Sequence, residues 1–313
     1  MPITSFKEMM AEARRGRYAV GYFESWNLES LLAVADAAEE TCSPVILGFS
    51  GIYLPDPRRQ VTDRLSHYAA LGLEVCRGLS VPACLLFNES ANMDWVLDAV
   101  GLGFQLVMFT DDTLEFDEQA ARVREVVAKA HARSVAVEAE IIPLPGAGGG
   151  VVSVGAEGCP SRGTQPCAPA SHLTDCRQAR EFVEATGVDA LAVDIGQAHL
   201  HGRATVRLNL ERLEELNDAV SVPMVLHGAS SVAREDLVEA TRRGIRKINV
   251  GSNLKRAYFD ALRRACMEVG DDYNPYQVIG SGLPEDVLTA GRIALQKTVE
   301  DLMRLFGSAG NAQ

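Results

Sequence analysis

Nowhere in the 313-residue chain is there a run of basic side chains, or a basic stripe interleaved with aromatics. With a formal net charge of −12 and a pI near 5.0, the chain offers no general surface for nucleic acid or anionic lipid. No apolar stretch approaches the roughly 18–20 residues that a membrane-spanning helix needs. The N-terminal stretch MPITSFKEMMAEARRGRYAV lacks the charged region, long apolar region and small-residue cleavage site of a signal peptide. Cysteine is sparse and odd in number: the seven are scattered at Cys42, Cys76, Cys84, Cys159, Cys167, Cys176 and Cys266. An odd, scattered set excludes a fully paired disulfide framework and suits reduced thiols, so a cytoplasmic location is expected.

What is present is a chain that is 47% hydrophobic and long enough to bury a large core. Short β-branched or apolar runs recur at 19–23, 44–49, 83–87, 105–109, 135–140, 190–195, 223–227 and 247–250. Between them lie amphipathic stretches such as LESLLAVADAAEE and EQAARVREVVAKAHAR, with apolar residues at helical spacing. Continuous apolar strands alternating with helices mean a parallel sheet covered on its outer face. Eight such units predict a closed (β/α)₈ TIM barrel, an α/β fold, over residues 1–313 as one domain. An open doubly wound sheet would carry a Gly-rich turn after its first strand, and GYFESWNLES has none. A Gly- and Pro-rich active-site loop at about 141–173 breaks the rhythm and reads as a functional lid or a disordered segment. From about residue 271 the chain continues into a helical extension.

Barrels of this kind place their catalytic groups at the C-terminal ends of the strands. Read in order, those ends carry Glu24, Ser50, Asn88 with Glu89, Thr110 with Asp111 and Asp112, Glu140, Asp194 leading to His199, His227, and Asn249. A single histidine at such a place is most simply a capping or core residue. His199 and His227 together, with carboxylates on neighbouring strands, instead make a plausible shell for a divalent metal, Zn²⁺ first. His201 competes with His199 for that place. The turns HGASS and NVGSN follow strands 7 and 8, where barrels often hold phosphate. Ser230, Gly251 and Ser252 would donate there, with Gly228 and Gly251 permitting close approach. Each turn alone is equally an ordinary strand-to-helix connection with a serine cap. Cys159, Cys167 and Cys176 with His172 match no zinc spacing and read as surface thiols.

The strand ends resemble those of the class II, metal-dependent fructose-bisphosphate aldolases and their tagatose-bisphosphate and other ketose-bisphosphate relatives. The likeness runs through RYAVGYFESWNLES, SPVILGFS, TGVDALAVDIGQAH, VPMVLHGASS and GIRKINVGSNLKRAY, most of the chain outside the long loop. It implies that His199 and His227 are two of three zinc histidines and that Glu140 is a glutamate associated with the metal. It also implies that Ser50 contacts substrate, and that Gly228, Ser230, Asn249, Gly251 and Ser252 hold the phosphate and hydroxyls. The departures fall at the chemistry. Asn88 and Glu89 stand where the family has its acid/base aspartate and its third zinc histidine, and an amide cannot shuttle a proton. Glu24 replaces an asparagine, Thr110 an aspartate, and Leu200 a phosphate-cradling glycine.

The expected function is a divergent class II aldolase-like lyase that cleaves or forms a carbon–carbon bond in a polyhydroxylated carbonyl substrate, with or without phosphate. Its metal would be held by His199, His227 and a carboxylate, Glu89 first and Glu140 as alternate. Glu24 or Glu89 would serve as acid/base beside Asn88. The alternative is a non-catalytic relative acting as a binding, regulatory or partner subunit. Expected partners are a sugar or sugar phosphate and further copies of the chain, as homodimer or homotetramer, with neither nucleic acid nor membrane.

Overall fold

The computed structural model describes residues 3–141, 173–198 and 205–312. Eight parallel strands close into a barrel in sequence order, with β8 paired to β1. They are β1 (Val20–Ser25), β2 (Val45–Ser50), β3 (Ala83–Ser90), β4 (Leu106–Phe109), β5 (Ala136–Glu140), β6 (Ala190–Ala192), β7 (Met224–Leu226) and β8 (Ile245–Val250). Each coincides with a predicted strand. The helices are α1 (Phe6–Gly16), α2 (Leu28–Glu40), α3 (Leu65–Gly78), α4 (Met93–Leu102), α5 (Phe116–His131), α6 (Cys176–Thr186), α7 (Leu210–Ala219), α8 (Arg234–Arg242), α9 (Ser252–Glu268), α10 (Pro275–Val278) and α11 (Val287–Leu305).

Local chemistry sets where these elements begin. Asn27, Asn92, Asp175 and Asn209 each accept a hydrogen bond from a first-turn amide of α2, α4, α6 and α7. Such caps stabilise a helix by about 1 kcal/mol each. Strand β6 stops at Ala192, short of the expected 195, because polar side chains take over its amides. Thr174 Oγ1 accepts from the Asp194 N–H at 2.8 Å, and Gln197 Oε1 from the Ile195 N–H at 2.9 Å.

The apolar core divides in two. The larger part lies between the strands and the surrounding helices. The smaller fills the barrel interior with Val20, Tyr22, Ile46, Cys84, Leu86 and Val225, and is continued by Phe6, Met9 and Met10 of α1. Helix α1 has no place in the expected strand–helix alternation. Its Ser5–Glu8 capping box starts it beside Ala83, the first residue of β3, so it plugs the barrel end opposite the strand C-termini. Burying each of these three side chains contributes about 1.5–3 kcal/mol.

At the other end of the chain, α11 docks on α2 and α9. Phe306 stacks on Phe23, Arg292 pairs with Asp36, and Gly291 lets the Tyr258 ring approach where any Cβ would collide. No helix among the described residues is long and apolar enough to cross a membrane.

Candidate active site

Alternation along the strands decides what reaches the barrel interior. On β8, Lys247 and Asn249 share the inner face, and on β5 Glu138 and Glu140 do the same. Sequence reasoning found Asn249 and Glu140 and missed Lys247 and Glu138, although the period of two in VEAE and KIN carries both. Glu138 and Lys247 are fully buried, 0% exposed. Buried charges persist only when paired. Lys247 Nζ lies 2.7 Å from Glu138 Oε2, donates to Asn249 Oδ1, and sits 5.2 Å from the Tyr22 ring centre. Glu138 Oε1 in turn is 2.8 Å from Nε2 of His227, just past the end of β7. Burial alone would raise the Glu138 pKa, but the Lys247 charge and the His227 hydrogen bond outweigh it and hold the carboxylate low.

His227 is thereby gripped on one side of its ring. Asn249 Nδ2 also approaches Nε2, at 2.9 Å. Burial works against an imidazolium here, yet the Glu138 hydrogen bond and the nearby Glu89 and Glu138 charges push His227 up to about 10. Its other nitrogen, Nδ1, lies 3.0 Å from Glu89 Oε1 but makes no well-formed hydrogen bond.

Glu89 reaches that position through an irregular backbone. The β3–β4 register runs Leu86↔Leu106 and Phe87↔Val107, then resumes at Ser90↔Phe109. At this bulge Glu89 has φ 51°, in the left-handed region that a non-glycine residue seldom enters. In a regular strand Glu89 would point outward with Phe87, into the helix layer. The bulge turns it inward while Asn88 keeps its interior place. Asn88 Nδ2 then donates to Glu89 Oε2 at 2.9 Å. Strain of this kind costs about 1–3 kcal/mol and tends to persist where a site needs it.

Other expected residues lie around this centre. Glu140 is buried, accepts a hydrogen bond from Thr110 Oγ1, and is pushed up to about 7 by its burial, with the Glu89 charge adding to the shift. Glu24 pairs with Lys255 Nζ at 2.5 Å; burial raises its pKa and Lys255 draws it back. Ser50 Oγ accepts from the Ile52 N–H at 3.3 Å. Gly228 adopts φ 65° ahead of a 3₁₀ turn over Ala229–Ser231. Ser230 Oγ accepts from the Asn253 N–H at 3.2 Å, and Gly251 caps α9, whose first residue is Ser252. Asp194 Oδ1 accepts from the Gly196 N–H at 2.8 Å, a turn-forming role. A cavity of about 530 Å³ opens beside the centre, lined by Ile52, Asp56, Arg58, Glu89, Asp111 and Glu140 among others.

The fit of a metal to this set is testable on the residues present. Two ligands at about 2.0–2.1 Å from a tetrahedral ion lie roughly 3.3 Å apart. The Nδ1-to-Oε1 spacing of 3.0 Å is close to that, and Nδ1 is among the buried polar atoms left without a hydrogen-bond partner. A carboxylate holding the far ring nitrogen is the usual support of a metal-bound histidine, and Glu138 supplies it. Among the described residues no three histidine, cysteine or carboxylate groups already converge as a metal cluster. His199, the remaining expected ligand, lies outside the described residues, as do His201, Leu200, Cys159, Cys167, His172 and the 142–172 part of the long loop. The donors present therefore fit a divalent ion.

Comparison with known proteins gives the family. The family model for Fructose-bisphosphate aldolase class-II matches residues 4–311. A fructose-bisphosphate aldolase of Geobacillus stearothermophilus is 32% identical, with 100% of this chain and 99% of that protein covered. One from Giardia intestinalis is 31% identical, with 100% and 95% covered. Among solved structures, the YdjI aldolase of Escherichia coli K12 superposes with a TM-score of 0.78 at 28% identity, covering 99% of this chain and 100% of that one. A putative fructose-1,6-biphosphate aldolase from Coccidioides immitis gives 0.75 at 26% identity, covering 97% and 96%. The chain therefore belongs to the class II fructose-bisphosphate aldolase family, whose members are generally metal-dependent, and is a carbon–carbon lyase of the aldolase type.

Proposed function

We propose that the protein performs aldol and retro-aldol chemistry on a polyhydroxylated carbonyl compound, with a divalent metal, zinc first, held by His227 Nδ1, Glu89 and His199. The observation that carries this reading is the bulge that aims Glu89 at the one poorly partnered nitrogen of His227. Bound there, the ion supplies Lewis-acid polarisation of the substrate carbonyl. Every other part of the reaction falls to the chain itself. Glu138 and Lys247 fix the His227 ring so that Nδ1 faces the cavity side. Asn88 cannot transfer a proton, and its amide instead steadies Glu89 Oε2.

Proton transfer to and from the substrate hydroxyl is assigned to Glu140. It lines the cavity, and its Oε1 is held by Thr110, which leaves Oε2 for exchange. Glu24, the other candidate for this role, is tied to Lys255. Ser50, Gly228, Ser230, Asn249, Gly251 and Ser252 would receive the polar end of the substrate. The exposed Phe259, Met267 and Tyr276 on and around α9 and α10 support association into a homo-oligomer.

The test is direct. Protein purified without chelator is analysed for metal, then assayed for release of a small ketone or of pyruvate from a panel of ketoses, ketose phosphates and sugar acids. One zinc per chain, with release abolished by chelation and restored by zinc, is the expected result. A metal-free protein inert across the panel would contradict the proposal.

A further inference from the structure

We infer that Arg207 and Asp236 are positioning residues: their clasp fixes the Gly228–Ser231 turn in the place where it receives the phosphate end of the substrate. The inference rests on the reading above, in which that turn takes the polar end of the substrate, and adds two residues that act through it.

The turn has little to hold it from within. Gly228 sits at φ 65°, and the 3₁₀ segment Ala229–Ser231 is closed by two bonds, Ser231 N–H to the Gly228 carbonyl and Val232 N–H to the Ala229 carbonyl, each 3.1 Å. Such short 3₁₀ pieces have poor hydrogen-bond geometry, so neighbouring chain must fix their place. The support comes from the segment that leads into α7. Val206 N–H donates to the Ser231 carbonyl at 2.7 Å, and Ala233 N–H to the Val206 carbonyl at 3.0 Å, a parallel bridge that pairs Val206 with Val232. Three residues on, Asn209 N–H donates to the Ile195 carbonyl at 2.7 Å, which ties the same segment to the chain beyond β6. On the far side, Ser230 Oγ accepts from the Asn253 N–H in the first turn of α9.

Asp236 secures this bridge. It stands in the first turn of α8, and its carboxylate grips the neighbouring segment. Oδ1 accepts from Arg207 Nη2 at 2.7 Å, while Oδ2 accepts from Arg207 Nε and from the Leu208 N–H, both at 2.8 Å. A two-point contact between guanidinium and carboxylate sets direction as well as distance. The Asp236 side chain is 3% exposed, so salt and solvent screen the pair little. Holding residues 207 and 208 against α8 fixes Val206, the next residue back, against the turn. Without the clasp, Gly228 and Ser230 are free to shift, and a displacement of about 1 Å can cost on the order of 100-fold.

The experiment measures binding of dihydroxyacetone phosphate, and of inorganic phosphate, to the zinc-loaded full chain by titration calorimetry, well below the thermal midpoint of every variant. Arg207→Ala is expected to bind dihydroxyacetone phosphate about 10–100-fold more weakly than the wild type, with its zinc content unchanged. Arg207→Lys keeps the charge and one bond, and should recover part of the loss. The double variant Arg207→Met with Asp236→Asn leaves no buried charge unpaired; it guards against a folding failure and should lose affinity as Arg207→Ala does. Wild-type affinity in the folded Arg207→Ala and double variants would overturn the positioning role alone. A wild type that binds neither probe would overturn the reading of the turn as the phosphate end, and the inference with it.

Discussion

Replacing Glu89 by alanine is expected to lower the affinity for zinc by at least about 100-fold, the upper end of what loss of a supporting group at a metal site costs. The reason is geometric. Glu89 Oε1 lies 3.0 Å from His227 Nδ1, and it does so only because the β3 bulge turns the residue inward. Without that carboxylate, His227 keeps Glu138 on Nε2 but faces the cavity with no second donor from β3. Glu89→Gln should lose nearly as much, since an amide oxygen is a poorer ligand than a carboxylate. Both variants should keep their thermal midpoint within a few degrees, because the left-handed backbone at residue 89 is retained. Zinc content after dialysis against a graded chelator series is the measurement. Undiminished zinc in Glu89→Ala would remove Glu89 from the ligand set.

The second large effect is expected at Lys247. Lys247→Met leaves Glu138 in the barrel interior without its closest cation and removes the donor to Asn249 Oδ1. Breaking one side of a buried ion pair typically destabilises by about 3–5 kcal/mol. Adding Glu138→Gln to the same chain should recover a substantial part of that loss, because the uncompensated charge is then gone. Chemical denaturation of the two single variants and the double variant gives the coupling. A loss below about 1 kcal/mol in Lys247→Met would mean that His227 alone satisfies Glu138.

Why these two predictions concern residues of such different visibility is a matter of what each depends on. The barrel was legible because its evidence is periodic: eight apolar runs separated by amphipathic segments leave few other architectures. The rim positions of Ser50, Glu140, His227 and Asn249 follow from the strand ends. Glu138 and Lys247 obey the same alternation, yet a charged residue inside a strand draws notice only once its partner is known, and the two are 109 positions apart (247 minus 138). Helix α1 was missed because it stands before the first strand and outside the repeat. The turn of Glu89 toward His227 has no local signal at all. Bulges arise from strand pairing, and LLFNES on its own continues as a regular strand with Glu89 facing outward.

The bulge also changes the meaning of the Asn88–Glu89 pair. An amide and a carboxylate in place of an aspartate and a histidine read as loss of a proton shuttle and of a ligand. In three dimensions the amide braces the carboxylate, and the carboxylate meets Nδ1 of His227. Glu140, held by Thr110 at the cavity wall, is the group proposed to move protons.

The most direct measurement is anomalous diffraction at the zinc absorption edge from crystals of the protein as purified. The account predicts one peak within about 2.0–2.2 Å of both His227 Nδ1 and a Glu89 carboxylate oxygen. A peak bound without Glu89, or a site with no anomalous signal in zinc-loaded crystals, would contradict it.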